Sequence, residues 1–458
     1  MASTATMSSV AKRGAVAMDS TIADVISAML AAGQHRSYIV FDEGRRFRTS
    51  HNMFDGIASA IVDDKRDFNQ HEAIFLEVSP SKDALFSATL WRTVRGQGAG
   101  GVRYWPSYDR FADFLSDGLR LSQGMGRKNA LAGLYWGGGK GVIASVNSRL
   151  SPDRRRALFE DYGSFITSLD GCYVTAEDVG VGNQDMMAIF SKTRFTTCIP
   201  GQVGGSGNPS VATGTGVVCA VEAALDWRNR GDALAGKSVA IQGAGNVAQS
   251  VIANLLRRNV DYVKVTDISP DTLAIASAHA KRHDNGKSVV EFALSSRGDN
   301  SILSEDVDVV IPCALGGVLN QGTIPKIKAP IVCGAANNQL LDEETDAVSI
   351  TEKGIVFVPD FIANRMGIVT CANEQYGYVS DDPAITRHFG RDWDNSIWKV
   401  SQSVLDRAKA ERIPTAIAAK RIADELAAEP HPIWGHRCKQ IVESLVARRW
   451  HRQHAANH

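Results

Sequence analysis

The stretch that most limits how this chain can fold runs from Ser238 to Asp267. Ser238-Val239-Ala240-Ile241-Gln242 is a short apolar run that leads straight into Gly243-Ala244-Gly245-Asn246-Val247-Ala248. Val247, Val251 and Leu255, with Ile252 and Leu256, then recur at helical spacing. Val263-Lys264-Val265-Thr266 reads as a second strand and ends at Asp267, 24 residues on from Gly243. A strand, a Gly-x-Gly-x-x-Ala turn, a helix and a strand closing on an acid form a unit that binds dinucleotides. Gly243 permits the tight turn, Gly245 lets the backbone approach a pyrophosphate, and Ala248 keeps helix and strand close. The helix start, at Asn246 and Val247, offers unpaired N–H groups and the positive end of the helix dipole to phosphate. Asp267 suits a ribose diol and repels a 2′-phosphate. Ile268, Ser269 and Pro270 follow it without an arginine, so NAD is expected rather than NADP. A purely structural glycine turn in another α/β protein is the competing account of the same residues.

Further strand-like runs at 307–312, 331–333 and 355–358, with helix-length spacers between them, predict a parallel sheet covered on both faces. Upstream, residues 73–78 and 83–91 read as strands around the Pro80-Ser81 turn. Phe111, Phe114, Leu115, Leu119 and Leu121 then mark a helix face. Residues 19–70 carry a helical pattern at 21–30, followed by charged sequence that fits no element. The C-terminal part reads as helical, with 417–426 amphipathic. At 458 residues the chain exceeds a usual single domain. The expectation is an α/β protein of two domains. Residues 1–69 form a partly disordered N-terminal extension, 70–207 one domain, 208–365 the Rossmann-type domain, and 366–458 a helical segment packing back.

Lys+Arg and Asp+Glu both number 50, and no basic block with interleaved aromatics appears, so a nucleic-acid partner is not expected. No apolar run approaches the ~20 residues that span a membrane. The seven cysteines are odd in number and show no C-x-x-C spacing, which reads as free thiols in a reducing compartment, hence the cytoplasm. The first 18 residues lack any acid and read as a disordered tail, a targeting peptide being the alternative. His451-x-x-His454, with His458, reads as a frayed polar tail rather than a metal site, and no metal is expected.

Two lysines stand 12 residues apart beside small residues, in Gly124-Met125-Gly126-Arg127-Lys128-Asn129 and Gly137-Gly138-Gly139-Lys140-Gly141. The second segment reads as a loop. Desolvation and a neighbouring cation lower a lysine's pKa toward the range of a general base. A lysine in a glycine-rich loop equally suits a phosphate, and this stretch alone leaves both readings open. The wider order of motifs decides between them. Gly100-Gly101-Val102-Arg103, the two lysine segments, Thr175-Ala176-Glu177-Asp178-Val179-Gly180 and Gly205-Ser206-Gly207-Asn208-Pro209-Ser210 come first. The glycine turn, Cys313-Ala314-Leu315-Gly316 and Ala335-Ala336-Asn337-Asn338-Gln339-Leu340 follow.

This series resembles the glutamate/leucine/phenylalanine/valine dehydrogenase family, most closely its leucine and phenylalanine branch, over roughly residues 70–430. The residues before that stretch look like an addition. The resemblance implies an N-terminal α/β domain for substrate binding and oligomerisation, a C-terminal Rossmann-type NAD domain, and a cleft between them. It implies reversible, NAD-dependent oxidative deamination of an L-amino acid to a 2-oxo acid and ammonia, in a homo-oligomer. By resemblance, Lys128 holds the substrate carboxylate, Lys140 activates water, and Asp178 exchanges protons with the amino group. Thr213 and Asn337 lie near the nicotinamide and Asn338 reaches the substrate; Gly101 and Ala314 complete the substrate and cofactor sets. Glutamate enzymes carry a lysine where this chain has Ala99 and a small hydroxyl residue where it has Cys371. Ala176 and Ile368 complete the wall, and an apolar side chain, aliphatic or aromatic, is expected. The family usually reads Asn-Ala-Gly-Gly where Asn364-Arg365-Met366-Gly367 stands here. Arg365 and Met366 are expected either to reshape the pocket and closure or to point to solvent. The competing functions are a specialised biosynthetic dehydrogenase of an unusual 2-oxo acid and a non-catalytic NAD-binding regulator.

Overall fold

A computed structural model describes residues 16–106, 108–147, 149–229, 234–377 and 379–453. Most of the 1–18 tail, with His454 and His458, lies outside the described residues. The chain divides into two compact units, one of residues 1–126, 136–196 and 430–458, the other of 127–135 and 197–429.

Among the described residues the first unit has seven strands: β1 (Arg36–Asp42), β2 (Arg46–Thr49), β3 (His71–Val78), β4 (Ala84–Trp91), β5 (Gly98–Tyr104), β6 (Gly137–Ser145) and β7 (Tyr173–Glu177). Their order is β2-β1-β3-β4-β6-β5-β7, antiparallel as far as β6 and parallel among β6, β5 and β7. Alternate side chains face opposite sides. Ile39, Phe41, Ile74, Leu76 and Val142 meet α1 (Ile22–Ala31), α2 (Asp55–Asp63) and the first half of α3 (Phe111–Leu131). Tyr38, Val40, Phe75, Phe86 and Ile143 meet α4 (Pro152–Ser168) and α5 (Asn183–Phe190). The same face takes the C-terminal helix Arg437–Ala447 and Trp450, whose ring stands edge-on to Phe75 at 5.3 Å. The described residues from 430 to 453 therefore belong with the first unit, apart from the rest of the expected 366–458 segment.

Residues 36–49, unassigned from sequence, are two sheet strands; β1 pairs with β3 through Ile39↔Ile74. Charge disguises them. Arg36 is buried in an ion pair with its cross-strand neighbour Glu77, and Arg48 bridges Asp42 and Glu443. The 19–70 segment is thus part of the sheet and its core. Likewise the glycine segment around Lys140, read as a loop, is the interior strand β6, between β4 and β5.

The second unit carries β8 (Ser238–Gln242), β9 (Tyr262–Asp267), β10 (Val289–Leu294), β11 (Val309–Pro312), β12 (Ile331–Cys333) and β13 (Val356–Val358). Every neighbouring pair is parallel, in the order β10-β9-β8-β11-β12-β13. This is the doubly wound order that reverses beside its first strand. Around it lie α6 (Ser210–Asn229), α7 (Asn246–Arg257), α8 (Pro270–Arg282), α9 (Glu343–Glu352), α10 (Asp360–Ala363) and α11 (Met366–Asn373). The expected strands are all present. β10 was not expected, because it is an edge strand whose residues stay largely exposed.

Arg365 and Met366 are both wholly buried inside this unit, against the solvent-facing alternative. Arg365 Nη1 donates to Leu131 O at 2.7 Å, satisfying a carbonyl at the end of α3. Its Nη2 donates to His388 Nδ1 at 3.1 Å and to Asn395 O. These are neutral acceptors, and burial pushes the guanidinium down to about 9. Burial, with Arg365 and Arg387 nearby, holds His388 down at about 3, so its Nδ1 stays free to accept. Truncation leaves three acceptors and a void. Arg365→Ala is expected to lower unfolding free energy by roughly 2–4 kcal/mol, read as a lower urea midpoint with unchanged slope.

Candidate active site

In the first unit, strands β6, β5 and β7 lie side by side in parallel, with Val102↔Gly141 and Gly101↔Ala176 in register. Lys140 points from β6 and Asp178 follows the last residue of β7. Lys140 Nζ donates to Asp178 Oδ2 at 2.7 Å, and the lysine side chain is only 3% exposed. Missing side chains make this possible. A Cβ on Gly101 would sit 2.8 Å from Asp178 Cβ, and one on Gly139 would sit 2.8 Å from Ala99 N. Ala99 and Ala176 are buried within β5 and β7. In α3, a Cβ on Gly126 would strike the Trp91 ring, so the helix glycine serves close packing rather than flexibility.

The pair is electrostatically asymmetric. Burial pushes the Lys140 ammonium below its ordinary 10.5, outweighing the Asp178 charge that works to raise it. Burial works to raise Asp178, but Lys140 and then Arg103 outweigh it and hold the carboxyl below 3.8. The result is a lysine poised to lose its proton beside a carboxylate that stays ionised.

The second unit holds the other sequence-predicted residues. Lys128 lies on the last turn of α3, and its charge acts on Asp360, the first residue of α10. Burial raises the Asp360 carboxyl despite Lys128, and its Oδ2 accepts from Asn338 N at 3.0 Å. Sequence reasoning missed Asp360; the only signal is an acid opening a helix after β13. Asn364 Nδ2 donates to Asn337 Oδ1 at 2.8 Å and to Ala335 O at 3.0 Å, so Asn364 orients Asn337. Thr213 sits buried in the first turn of α6, opposite Gly367 of α11, where a Cβ would stand 3.8 Å from its Oγ1. Ile368 and Cys371 share a buried face of α11.

Cys371 is not a free thiol. It forms a disulfide with Cys198, Cα to Cα 5.2 Å, which corrects the expectation of unpaired cysteines. A separation of 173 residues hid the pairing from any spacing rule. Glu374 holds the same loop to the end of α11, accepting from Ile199 N and Ser206 Oγ, both at 2.9 Å. Cys172, Cys219, Cys313, Cys333 and Cys438 stay free.

At the tip of β8, Gly243 has φ 95, and a Cβ there would lie 3.0 Å from Ala314 Cβ, just after β11. This is the point where strand order reverses and ligands bind in such sheets. Ala244 N donates to Asp267 Oδ2 at 2.8 Å and Ser269 N to Oδ1 at 2.9 Å, so the acid faces the glycine turn. A Cβ on Gly245 would meet nothing within 4 Å, and Asn246 is exposed where α7 begins. An open cradle, a helix N-terminus and an acid at the neighbouring strand end fit a dinucleotide. Val247 is half-buried behind them. His451 stands edge-on to Tyr38 at 5.4 Å, part of the first unit's packing rather than a tail. Among the described residues, no helix is long and apolar enough to cross a membrane.

The family model described as glutamate/leucine/phenylalanine/valine dehydrogenase matches residues 204–428. Its companion, the Glu/Leu/Phe/Val dehydrogenase dimerisation domain, matches 88–195. A leucine dehydrogenase of Geobacillus stearothermophilus is 38% identical over 73% of this chain and 84% of its own. A phenylalanine dehydrogenase of Lysinibacillus sphaericus is 38% identical over 77% of this chain and 87% of its own. The crystal structure of L-tryptophan dehydrogenase from Nostoc punctiforme aligns with TM-score 0.64 and 31% identity, covering 81% of this chain and 97% of that one.

The disulfide has a direct check. Alkylation of the denatured, unreduced protein is expected to label five cysteines, and prior reduction to expose all seven; intact mass reads the difference.

Proposed function

Because the chain belongs to the glutamate/leucine/phenylalanine/valine dehydrogenase family, whose members are oxidoreductases acting on amino acids, we propose that it deaminates an apolar L-amino acid with NAD. The products are the 2-oxo acid and ammonia, and the reaction is reversible. The observation that carries this reading is the buried Lys140–Asp178 pair at 2.7 Å. When bound, the nicotinamide supplies the acceptor for the α-hydrogen as hydride. Lys140, in its unprotonated form, takes a proton from water as the oxygen adds to the iminium carbon. Asp178 takes up and returns protons at the substrate nitrogen, so that the C–N bond breaks with ammonia as leaving group. Lys128 binds the α-carboxylate, with Asn338 and Gly101 close to the substrate.

Gly243, Gly245, Asn246 and Val247 are assigned to the dinucleotide phosphates, and Thr213, Ala314 and Asn337 to its nicotinamide half. Asp267 supports NAD over NADP, since a carboxylate beside a 2′-phosphate is repulsive. The apolar preference rests on Ala99, 1% exposed where glutamate enzymes carry a lysine. A second carboxylate buried there without a cation costs several kcal/mol. Cys371, bonded to Cys198, has no hydrogen to donate to such a group. Ala176 and Ile368 add apolar wall. The relatives named for leucine and phenylalanine, and the structural neighbour named for tryptophan, support aliphatic and aromatic side chains alike. The dimerisation-domain match supports a homo-oligomer. Use of a nicotinamide cofactor supports an intracellular site, and the cytoplasm is proposed on that ground alone, since the Cys198–Cys371 bond removes the free-thiol argument. A non-catalytic regulator has no need of an intact, desolvated Lys140.

NADH absorbance tests the reading across leucine, valine, phenylalanine, tryptophan and glutamate. Turnover is expected with the apolar substrates and not with glutamate. Lys140→Ala is expected to lower kcat by roughly 10²–10⁴-fold. Because the Lys140 pKa is depressed, kcat/KM for deamination rises with pH on a one-proton limb centred below 10.5. Asp178, held below 3.8, adds no limb at working pH. Absence of turnover with every apolar amino acid would overturn the proposal.

A further inference from the structure

Behind Asp178 the charges continue in alternating order. Arg103, on β5, donates from Nε to Asp178 Oδ2 at 3.3 Å and from Nη1 to Asp117 Oδ2 at 2.8 Å. Tyr108 OH donates to the same Asp117 oxygen at 2.7 Å, and Arg120 reaches the other at 3.4 Å. Lys140 and Arg103 both hold Asp178 through Oδ2, which leaves Oδ1 as the edge neither cation takes. A guanidinium is suited to this, since its rigid planar fork holds two carboxylates in fixed directions, which a lysine's rotating ammonium does not.

We propose that Arg103 is a positioning residue for the reaction: it clamps Asp178 in one orientation beside Lys140 and is itself anchored by Asp117 and Tyr108. This rests on reading Lys140 and Asp178 as the reacting pair. The electrostatics follow the geometry. Arg103 lowers both Lys140 and Asp178, whereas Asp117 raises Lys140. Glu177, next to Asp178 along the chain, is raised by its own burial and then by Asp178. The clamp therefore keeps the carboxylate ionised while favouring the unprotonated lysine.

Steady-state kinetics of Arg103→Met, Arg103→Lys, Asp117→Asn and the charge-balanced pair Arg103→Met/Asp117→Asn test this across pH, with Lys140→Ala in parallel. Arg103→Met is expected to lower kcat at least tenfold and to move the rising limb of kcat/KM to higher pH. Asp117→Asn moves that limb the opposite way, with a smaller loss of kcat. Arg103→Lys restores the limb but not full kcat. KM for NAD stays within twofold throughout, because the residues assigned to the nucleotide belong to the other unit. The balanced pair, which leaves no buried carboxylate unmatched at Asp117, retains the thermal midpoint yet keeps the kcat loss. An inactive Lys140→Ala together with an unmoved limb and unchanged kcat in Arg103→Met overturns the clamp alone. A fully active Lys140→Ala overturns the reading of the pair, and the clamp with it.

Discussion

Lifting a lysine ammonium out of water costs several kcal/mol unless a carboxylate meets it at bonding distance, and Lys140 is almost wholly buried with Asp178 at 2.7 Å. Lys140 sits on β6 and Asp178 directly follows β7, so their separation is set by the spacing of β6, β5 and β7 more than by flexible side chains. Strands can approach a charged pair this closely only if nothing projects between them. Gly101 supplies that absence beside Asp178, and Gly139, on the opposite face from Lys140, lets β6 close up on β5, since a Cβ at either would collide with a neighbour. The sheet, its glycines and the helix that covers Trp91 thus serve one electrostatic requirement.

The second unit solves a different problem with similar means. Gly243, in left-handed geometry against Ala314, turns the chain at the tip of β8 so that a helix N-terminus faces outward. Asp267 is already oriented by two backbone N–H groups. Little rearrangement of the protein is then required when a nucleotide arrives, which reduces the ordering cost of binding.

Contiguity decided what could be read in advance. The strand, glycine turn, helix and closing acid of the second unit lie within thirty residues, and the pattern was legible in full. The positions of Lys128, Lys140 and Asp178 were legible through the ordered motifs around them. What stayed hidden depends on partners far along the chain. β1 and β2 were masked by Arg36 and Arg48, whose charges are neutralised by Glu77, Asp42 and Glu443 only once the sheet forms. β6 was masked by glycines, which lower strand propensity yet are required by close packing here. The Cys198–Cys371 bond and the inward course of Arg365 were invisible for the same reason. A residue type states what it can bond to, but not which distant acceptor the fold will bring.

Trp450 carries a consequence for biosynthesis. It lies fully buried against Phe75 and Phe165 in a core whose other members lie mostly before residue 190. During translation the whole span 197–429 emerges before that last aromatic does. The second unit can therefore close while the first still waits, with α4 and α5 on one sheet face and the rest of that face open. A ribosome-bound chain stalled before residue 437 would hold an apolar sheet face without its final helix, a natural client for a chaperone.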